Sequence, residues 1–366
     1  MSGRTSKPTA TAVPDASTLP GPDRPLPPQP DGVSWPTLTW ATGPQLSGDP
    51  ERLDDVLDRA FQTNPNPELA LSLAFVAVQG GRIVAERYGP GTTAFTKLTS
   101  WSVAKSITQS ALGLALADGA VDLDAAPAAP EWADADDPRH GISLRHLMAM
   151  RSGLEFNEDY VDAGASHCLE MLFGEGAADM AQHAASQALA APIDSTFNYA
   201  SGSTNIVSRA VAAALGLDRA GFDAYLRERL FDPIGMTGAT PHYDGAGTFV
   251  GSSYVDATAR DFARFGYLHL RDGVWDGRRI LPEGWVDVAR TARSGPDEDG
   301  QYYGAFWWVW GDEHGTFAAQ GYEGQLVAVV PDLDLVLVRL GKSPIAHRPA
   351  LFEFYRDVIA AFTDAR

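Results

Sequence analysis

Two blocks of strand-like sequence stand at opposite ends of this chain, and their separation constrains the fold more than any other feature. Near the start, LSLAFVAV (71–78) and RIVAERY (82–88) are joined through Gln79-Gly80-Gly81, a hairpin signal. Far downstream, GAFWWVW (304–310), TFAAQ (316–320), QLVAVV (325–330) and LDLVLVRL (333–340) follow one another closely, with Pro331-Asp332 fitting a tight turn. Connections this short imply antiparallel neighbours. The stretch from about 130 to 250 is alanine-rich, mostly helical in pattern and broken by loops. The expected fold class is α+β: an antiparallel β-sheet built from both ends of the chain, flanked by helices, with an all-helical lobe inserted. The cleft between the lobes is the expected place for a site.

The expected boundaries follow. Residues 1–40 read as a disordered Pro-rich arm, 41–130 with 251–366 as the α/β lobe, and 131–250 as the helical lobe. Asp49-Pro50 is a helix cap followed by proline at the first helical position, and Leu53, Val56, Leu57, Ala60 and Phe61 then recur as one buried stripe. A helix should run from near Ser102 to Gly119. Thr258 to Asp261 resembles a capping box opening another, and DGVWDGRRI reads as a turn-rich hairpin. A final helix after Pro349 carries Leu351, Phe352, Tyr355, Val358, Ile359 and Phe362 on one side.

Charge and motif content narrow the function. Among 366 residues, Lys+Arg is 28 against Asp+Glu 47, a formal net charge of -19. Such a surface repels phosphate backbones and anionic lipid, so neither nucleic acid nor membrane is an expected partner. The single cysteine, Cys168, excludes an intramolecular disulfide and a thiolate zinc cluster. No apolar run approaches a membrane span, and the N-terminus lacks the apolar core of a secretory signal, so the expected compartment is cytoplasmic. None of the eight histidines forms H-E-x-x-H; His167 with Glu170 comes nearest and reads as a surface pair. Neither metal nor cofactor is expected. The phosphate-binding glycine motifs and G-x-S-x-G are missing too, while a His-dependent serine triad stays open.

What remains is Ser102-Val103-Ala104-Lys105. Residues three apart share a helix face, so the hydroxyl and the amine can meet. A serine hydroxyl needs a base, and burial can lower a lysine toward that task. A serine at a helix start also presents its own N–H where an oxyanion could form. The competing reading is a helix cap and a solvated lysine, but Trp101, Val103, Ala104 and Ile107 make an apolar setting for Lys105. A second feature, FNYASGSTN (197–205), sets Tyr199 in a small-residue loop before a helix, where its phenol either relays a proton or merely packs. A third, AQGYEGQ (319–325), lies at a strand edge, where the glycines let backbone approach a ligand or simply bend the chain.

These three features in this order resemble the serine β-lactamase and penicillin-binding superfamily, most of all its class C-related branch, which includes carboxylesterases and 6-aminohexanoate-dimer hydrolase. The likeness runs from about residue 50 to 366 and includes WSVAKS, LRHLMAMRSGLEFNEDYVD and ATARDFARFG. It implies a β-lactamase/transpeptidase-like fold and a serine hydrolase working through an acyl-enzyme on a small-molecule ester or amide. It implies Ser102 as nucleophile, Lys105 as its activator and Tyr199 as a general acid/base. It places the oxyanion hole at the N–H groups of Ser102 and Tyr322, and Tyr160, Ser201, Gly321 and Glu323 about the substrate. Two departures stand out. Ala319 replaces the cation of the K-T-G element, which weighs against efficient β-lactam hydrolysis. Met171, with Glu170 adjacent, falls where the aminohexanoate branch would carry an acid for a substrate ammonium. Glu323 either favours a cationic or neutral substrate or faces solvent. The expected order is carboxylesterase or amidase, then linear-amide hydrolase, then β-lactamase or D,D-peptidase; a non-catalytic binding module on the same fold is the rival class. Oligomeric state is not legible.

Overall fold

The computed structural model describes residues 11–22, 24–162 and 164–363. An eight-stranded sheet organises it, in the spatial order Tyr302–Tyr303, Trp308–Val309, Phe317–Gly321, Gln325–Val330, Leu335–Lys342, Leu71–Gln79, Arg82–Tyr88 and Ala41–Thr42. Neighbours are antiparallel except the edge pair, where Ala41–Thr42 runs parallel to Arg82–Tyr88. Both ends of the chain therefore meet in the middle of the sheet, with Val76 opposite Val338 and Gln79 opposite Leu335.

Side-chain alternation sets two cores. On one face Ala74, Val76 and Val78, with Val327, Val329, Val336 and Val338, pack against helices Ala104–Ala117 and Ala259–Leu270. On the other, Phe75, Ala77, Leu326, Ala328, Leu335 and Leu337 meet helices Pro50–Phe61 and Arg348–Ala360. Asp49 caps the first of these, its side chain accepting from the Glu51 and Arg52 amides. Thr258 and Asp261 close the capping box of the Ala259–Leu270 helix.

Three expectations need correction. GAFWWVW is not one strand: Phe306 has a left-handed φ of 56, Gly304 N–H bonds the Trp307 carbonyl, and only Trp308–Val309 joins the sheet. The inserted lobe is less helical than its alanine content suggests. Gly, Asp and Pro break it into Leu144–Met148, His167–Phe173, Met180–Ala185, Ser201–Ala214 and Arg219–Leu226. The Pro-rich arm expected to be disordered over 1–40 is tied to the rest of the protein at several points, although Thr11–Ala12, Ala16–Thr18 and Leu38 are exposed; residues 1–10 and 23 lie outside the described residues. Proline-rich backbone leaves its carbonyls unpaired, and arginines take them: Arg264 Nε donates to Pro36 O at 2.8 Å and Arg271 Nη1 to Pro27 O at 3.0 Å. Trp35 and Trp40 lean on Tyr267 at 6.0 and 5.7 Å between ring centroids. Thr11–Ala12 then pairs antiparallel with Thr196–Phe197. Among the described residues no helix is long and apolar enough to cross a membrane.

Gly266 shows how tightly the Ala259–Leu270 helix lies on the sheet. A Cβ there would stand 2.6 Å from Val336 Cγ1 and 2.9 Å from Val327 Cγ1. Gly266→Ala should destabilise the protein by about 1–3 kcal/mol through overpacking, read from the midpoint of urea unfolding. A midpoint equal to wild type would show that this contact yields freely.

Candidate active site

Ser102 sits in a single 3-10 turn, Trp101–Val103, and the α-helix begins only at Ala104. The tighter turn serves the geometry, because residues three apart eclipse in a 3-10 helix. Lys105 Nζ stands 2.8 Å from Ser102 Oγ. The residue before the serine, Trp101, holds a left-handed φ of 44, a conformation uncommon outside glycine.

Lys105 is 1% exposed. Its nitrogen also donates to Ser201 Oγ at 2.9 Å and to the Ser252 carbonyl at 2.9 Å. Burial pushes its pKa from 10.5 down to about 8, with the Glu158 charge pulling the other way. The solvated-lysine reading therefore fails. Near its pKa the neutral amine can accept the serine proton while its remaining hydrogens keep two of these partners.

Ser201 opens the Ser201–Ala214 helix and is the third residue of Tyr199-Ala200-Ser201. Its hydroxyl accepts from Lys105 and donates to Glu158 at 2.5 Å, and its amide donates to the other Glu158 oxygen at 2.8 Å. Glu158 is buried and also accepts from Tyr160 Oη at 2.9 Å. Sequence reasoning missed Glu158. Its only signal was a carboxylate two residues before Tyr160 in NEDYVD, among other acids of identical local appearance. The Ser252 carbonyl carried no sequence signal.

The Tyr199 ring lies 4.9 Å from Lys105 Nζ. Burial raises its phenol far above the ordinary value, Glu158 adds to that, and a hydrogen bond with Ser102 opposes it. The ring stacks on Trp308 at 5.5 Å and meets the Tyr303 edge at 5.7 Å. Thus Trp308 of the Trp-rich run supports the site, while Trp307 is core.

The Phe317–Gly321 strand ends against the serine turn. A Cβ added at Gly321 would stand 3.0 Å from the Ser102 amide nitrogen and 2.6 Å from the Ser100 carbonyl oxygen. Only glycine lets these backbones approach so closely. Tyr322 follows, its ring 5.0 Å from Tyr160 and 5.5 Å from Trp101. Glu323 is not free in solvent: Trp101 Nε1 donates to its carboxylate at 3.3 Å. Ser102, Tyr160, Ser201 and Tyr322 all line one small cavity of about 50 Å³, closed by Trp101, Ser253, Cys168, Leu169, Leu172 and Phe173. Met171 is fully buried behind it. Cys168 is buried, which raises its thiol pKa well above the ordinary value, so it is a poor nucleophile. Among the described residues no three His, Cys, Asp or Glu side chains gather as a metal site. His167 Nδ1 instead accepts from the Asn157 amide.

The Beta-lactamase family model matches residues 57–361 of this chain. A 6-aminohexanoate-dimer hydrolase of Paenarthrobacter ureafaciens is 27% identical over 330 residues, covering 80% of this chain and 78% of that protein. A solved Bacillus anthracis structure with the provisional name 6-aminohexanoate-dimer hydrolase superposes with a TM-score of 0.71 at 23% identity, covering 91% of this chain and 89% of that one. A beta-lactamase of Mycobacterium bovis gives 0.60 at 20%, covering 84% and 97%. At these identities the two structures speak for the fold alone.

Glu158→Gln removes the charge that holds the Lys105 pKa up, so the lysine should lose its proton at lower pH. Labelling of Ser102 by a fluorophosphonate should rise with pH through about 8 in the wild type and through a lower value in the variant. A midpoint that stays put or moves upward would refute the coupling.

Proposed function

Because the chain belongs to the beta-lactamase family, whose model spans residues 57–361, we propose that it is a serine hydrolase cleaving a small ester or amide through an acyl-enzyme on Ser102. The observation that carries this reading is the buried Lys105 amine 2.8 Å from Ser102 Oγ, with its pKa brought down to about 8. A lysine titrating there is neutral in about a tenth of molecules at pH 7, enough for a general base.

The steps follow from the contacts. Ser102 Oγ bonds to the carbonyl carbon as its proton passes to Lys105. The carbonyl oxygen becomes an oxyanion, held by the N–H groups of Ser102 and Tyr322. Tyr199, its ring 4.9 Å from Lys105 Nζ, is the group proposed to hand a proton to the leaving oxygen or nitrogen as that bond breaks. An alcohol or amine departs. Water then adds to the acyl carbonyl, its proton returns through the same groups to Ser102 Oγ, and a carboxylic acid is released.

Substrate class follows from the cavity. Its lining holds no charged side chain, and its volume of about 50 Å³ suits a short acyl group. Ala319, buried on its strand, offers no cation to an anionic substrate. Met171 is buried and contacts Asn205 through sulfur, so it presents nothing to an ammonium. A short, uncharged ester or amide is favoured over an aminohexanoate oligomer and over a β-lactam.

Intact-protein mass spectrometry after brief exposure to p-nitrophenyl acetate tests the chemistry. The wild type should carry a transient acetyl group and Ser102→Ala none, with p-nitrophenol release reduced at least about a thousandfold. Equal adducts on both proteins would mean the nucleophile is elsewhere. No adduct and no turnover on any ester or amide would favour the binding module. Gly321→Ala should lower kcat by about a hundredfold by crowding the Ser102 amide; full activity would place the oxyanion elsewhere.

A further inference from the structure

Arg339 is a buried cation that the reaction as described leaves unused. It lies on the Leu335–Lys342 strand, 1% exposed, and none of its hydrogen-bond partners is a carboxylate. A buried guanidinium is costly unless its donors are satisfied, and here backbone oxygens do most of that. Nη1 donates to the carbonyls of Glu323 and Gly324, both at 3.0 Å. Nη2 reaches the Ser343 hydroxyl at 2.7 Å and the Leu71 carbonyl at 3.2 Å.

The two Nη1 partners belong to the 3-10 turn Tyr322–Gly324, directly after the glycine that meets the Ser102 amide. This turn needs restraint, since Glu323 holds a left-handed φ of 61, a conformation costing roughly 1–3 kcal/mol in a non-glycine residue. Each of its carbonyls is held from inside. Gln325 Nε2 takes the Tyr322 carbonyl at 2.9 Å, Ser343 N–H shares that of Glu323 at 3.0 Å, and Tyr355 Oη shares that of Gly324 at 3.0 Å. Arg339 is the group common to the second and third of these. A Cβ at Gly324 would stand 2.6 Å from Arg339 Nη1, so the turn is seated directly on the guanidinium.

We propose that Arg339 is a positioning residue that clamps the Tyr322–Gly324 turn from beneath and holds the Tyr322 amide beside that of Ser102, where the oxyanion forms. This rests on the acyl-enzyme reading above. A planar fork spans two adjacent carbonyls with one nitrogen and a second strand with the other; lysine, a point donor, cannot do both. The clamp acts on the tetrahedral species more than on the bound substrate, so its loss should appear in kcat rather than KM.

The test uses Arg339→Lys on the full chain, assayed with p-nitrophenyl acetate and with phenylboronic acid, which adds to the serine hydroxyl as a tetrahedral anion. Arg339→Lys should lower kcat by roughly ten- to hundredfold, weaken boronate binding by a similar factor and leave KM within about threefold. A variant that merely melts earlier, with kcat and boronate affinity unchanged, overturns the clamp. If Arg339→Lys does not fold, Tyr355→Phe decides. It removes one hydroxyl from the Gly324 carbonyl and should weaken boronate binding by a smaller factor in the same direction; unchanged affinity overturns the proposal. A wild type that forms neither acetyl-enzyme nor boronate adduct would reject the hydrolase reading itself.

Discussion

One buried nitrogen joins three parts of the chain. Lys105 Nζ meets the serine turn through Ser102, the inserted lobe through Ser201, and the segment returning from that lobe through the Ser252 carbonyl. Each partner is a neutral oxygen, so the ammonium is solvated by the protein without being fixed by a counter-ion at contact distance. Glu158 acts one hydroxyl further out, through Ser201. That spacing leaves the lysine poised between its two states, where a direct carboxylate contact would keep it protonated.

The arrangement has a thermodynamic cost with a definite sign. The folded-state pKa is depressed from 10.5 to about 8, so the folded protein binds the proton less well than the unfolded chain does. The penalty is fully present below about pH 8 and is relieved as pH rises from there through the unfolded value. At neutral pH it amounts to roughly 3 kcal/mol, a sizeable share of ordinary net stability. The two sheet cores and the buried helices around Lys105 must supply that margin.

Much of this was legible in the sequence where chemistry lies in local spacing. Ser102 and Lys105 declare themselves three apart, the Tyr199 loop precedes a helix, and Gly321 stands at a strand end. The strand runs at both termini gave the sheet. What stayed hidden depends on contacts far apart in sequence. Glu158 looks like any acid on an acidic chain until Ser201 arrives from 43 residues away. The Pro-rich arm lacks a local pattern that orders it; tryptophans and the arginines of a distant helix do so. Aromatic density in GAFWWVW suggested a strand, yet the left-handed Phe306 divides it into a turn and a strand. Arginine on a strand reads as a surface residue, whereas Arg339 is enclosed by backbone oxygen.

Building the sheet from both ends has a consequence for how the protein is made. The Leu71–Gln79 and Arg82–Tyr88 hairpin leaves the ribosome early, but the strand that covers its inner side, pairing Leu335 with Gln79, comes last. At the usual pace of translation the gap is roughly ten to fifty seconds. A lone hairpin is marginal in water, and its apolar edge is a template for pairing with other nascent chains. Until residues 335–342 emerge, the unpaired edge of the Leu71–Gln79 strand is therefore the part of the early chain most open to pairing with its neighbours.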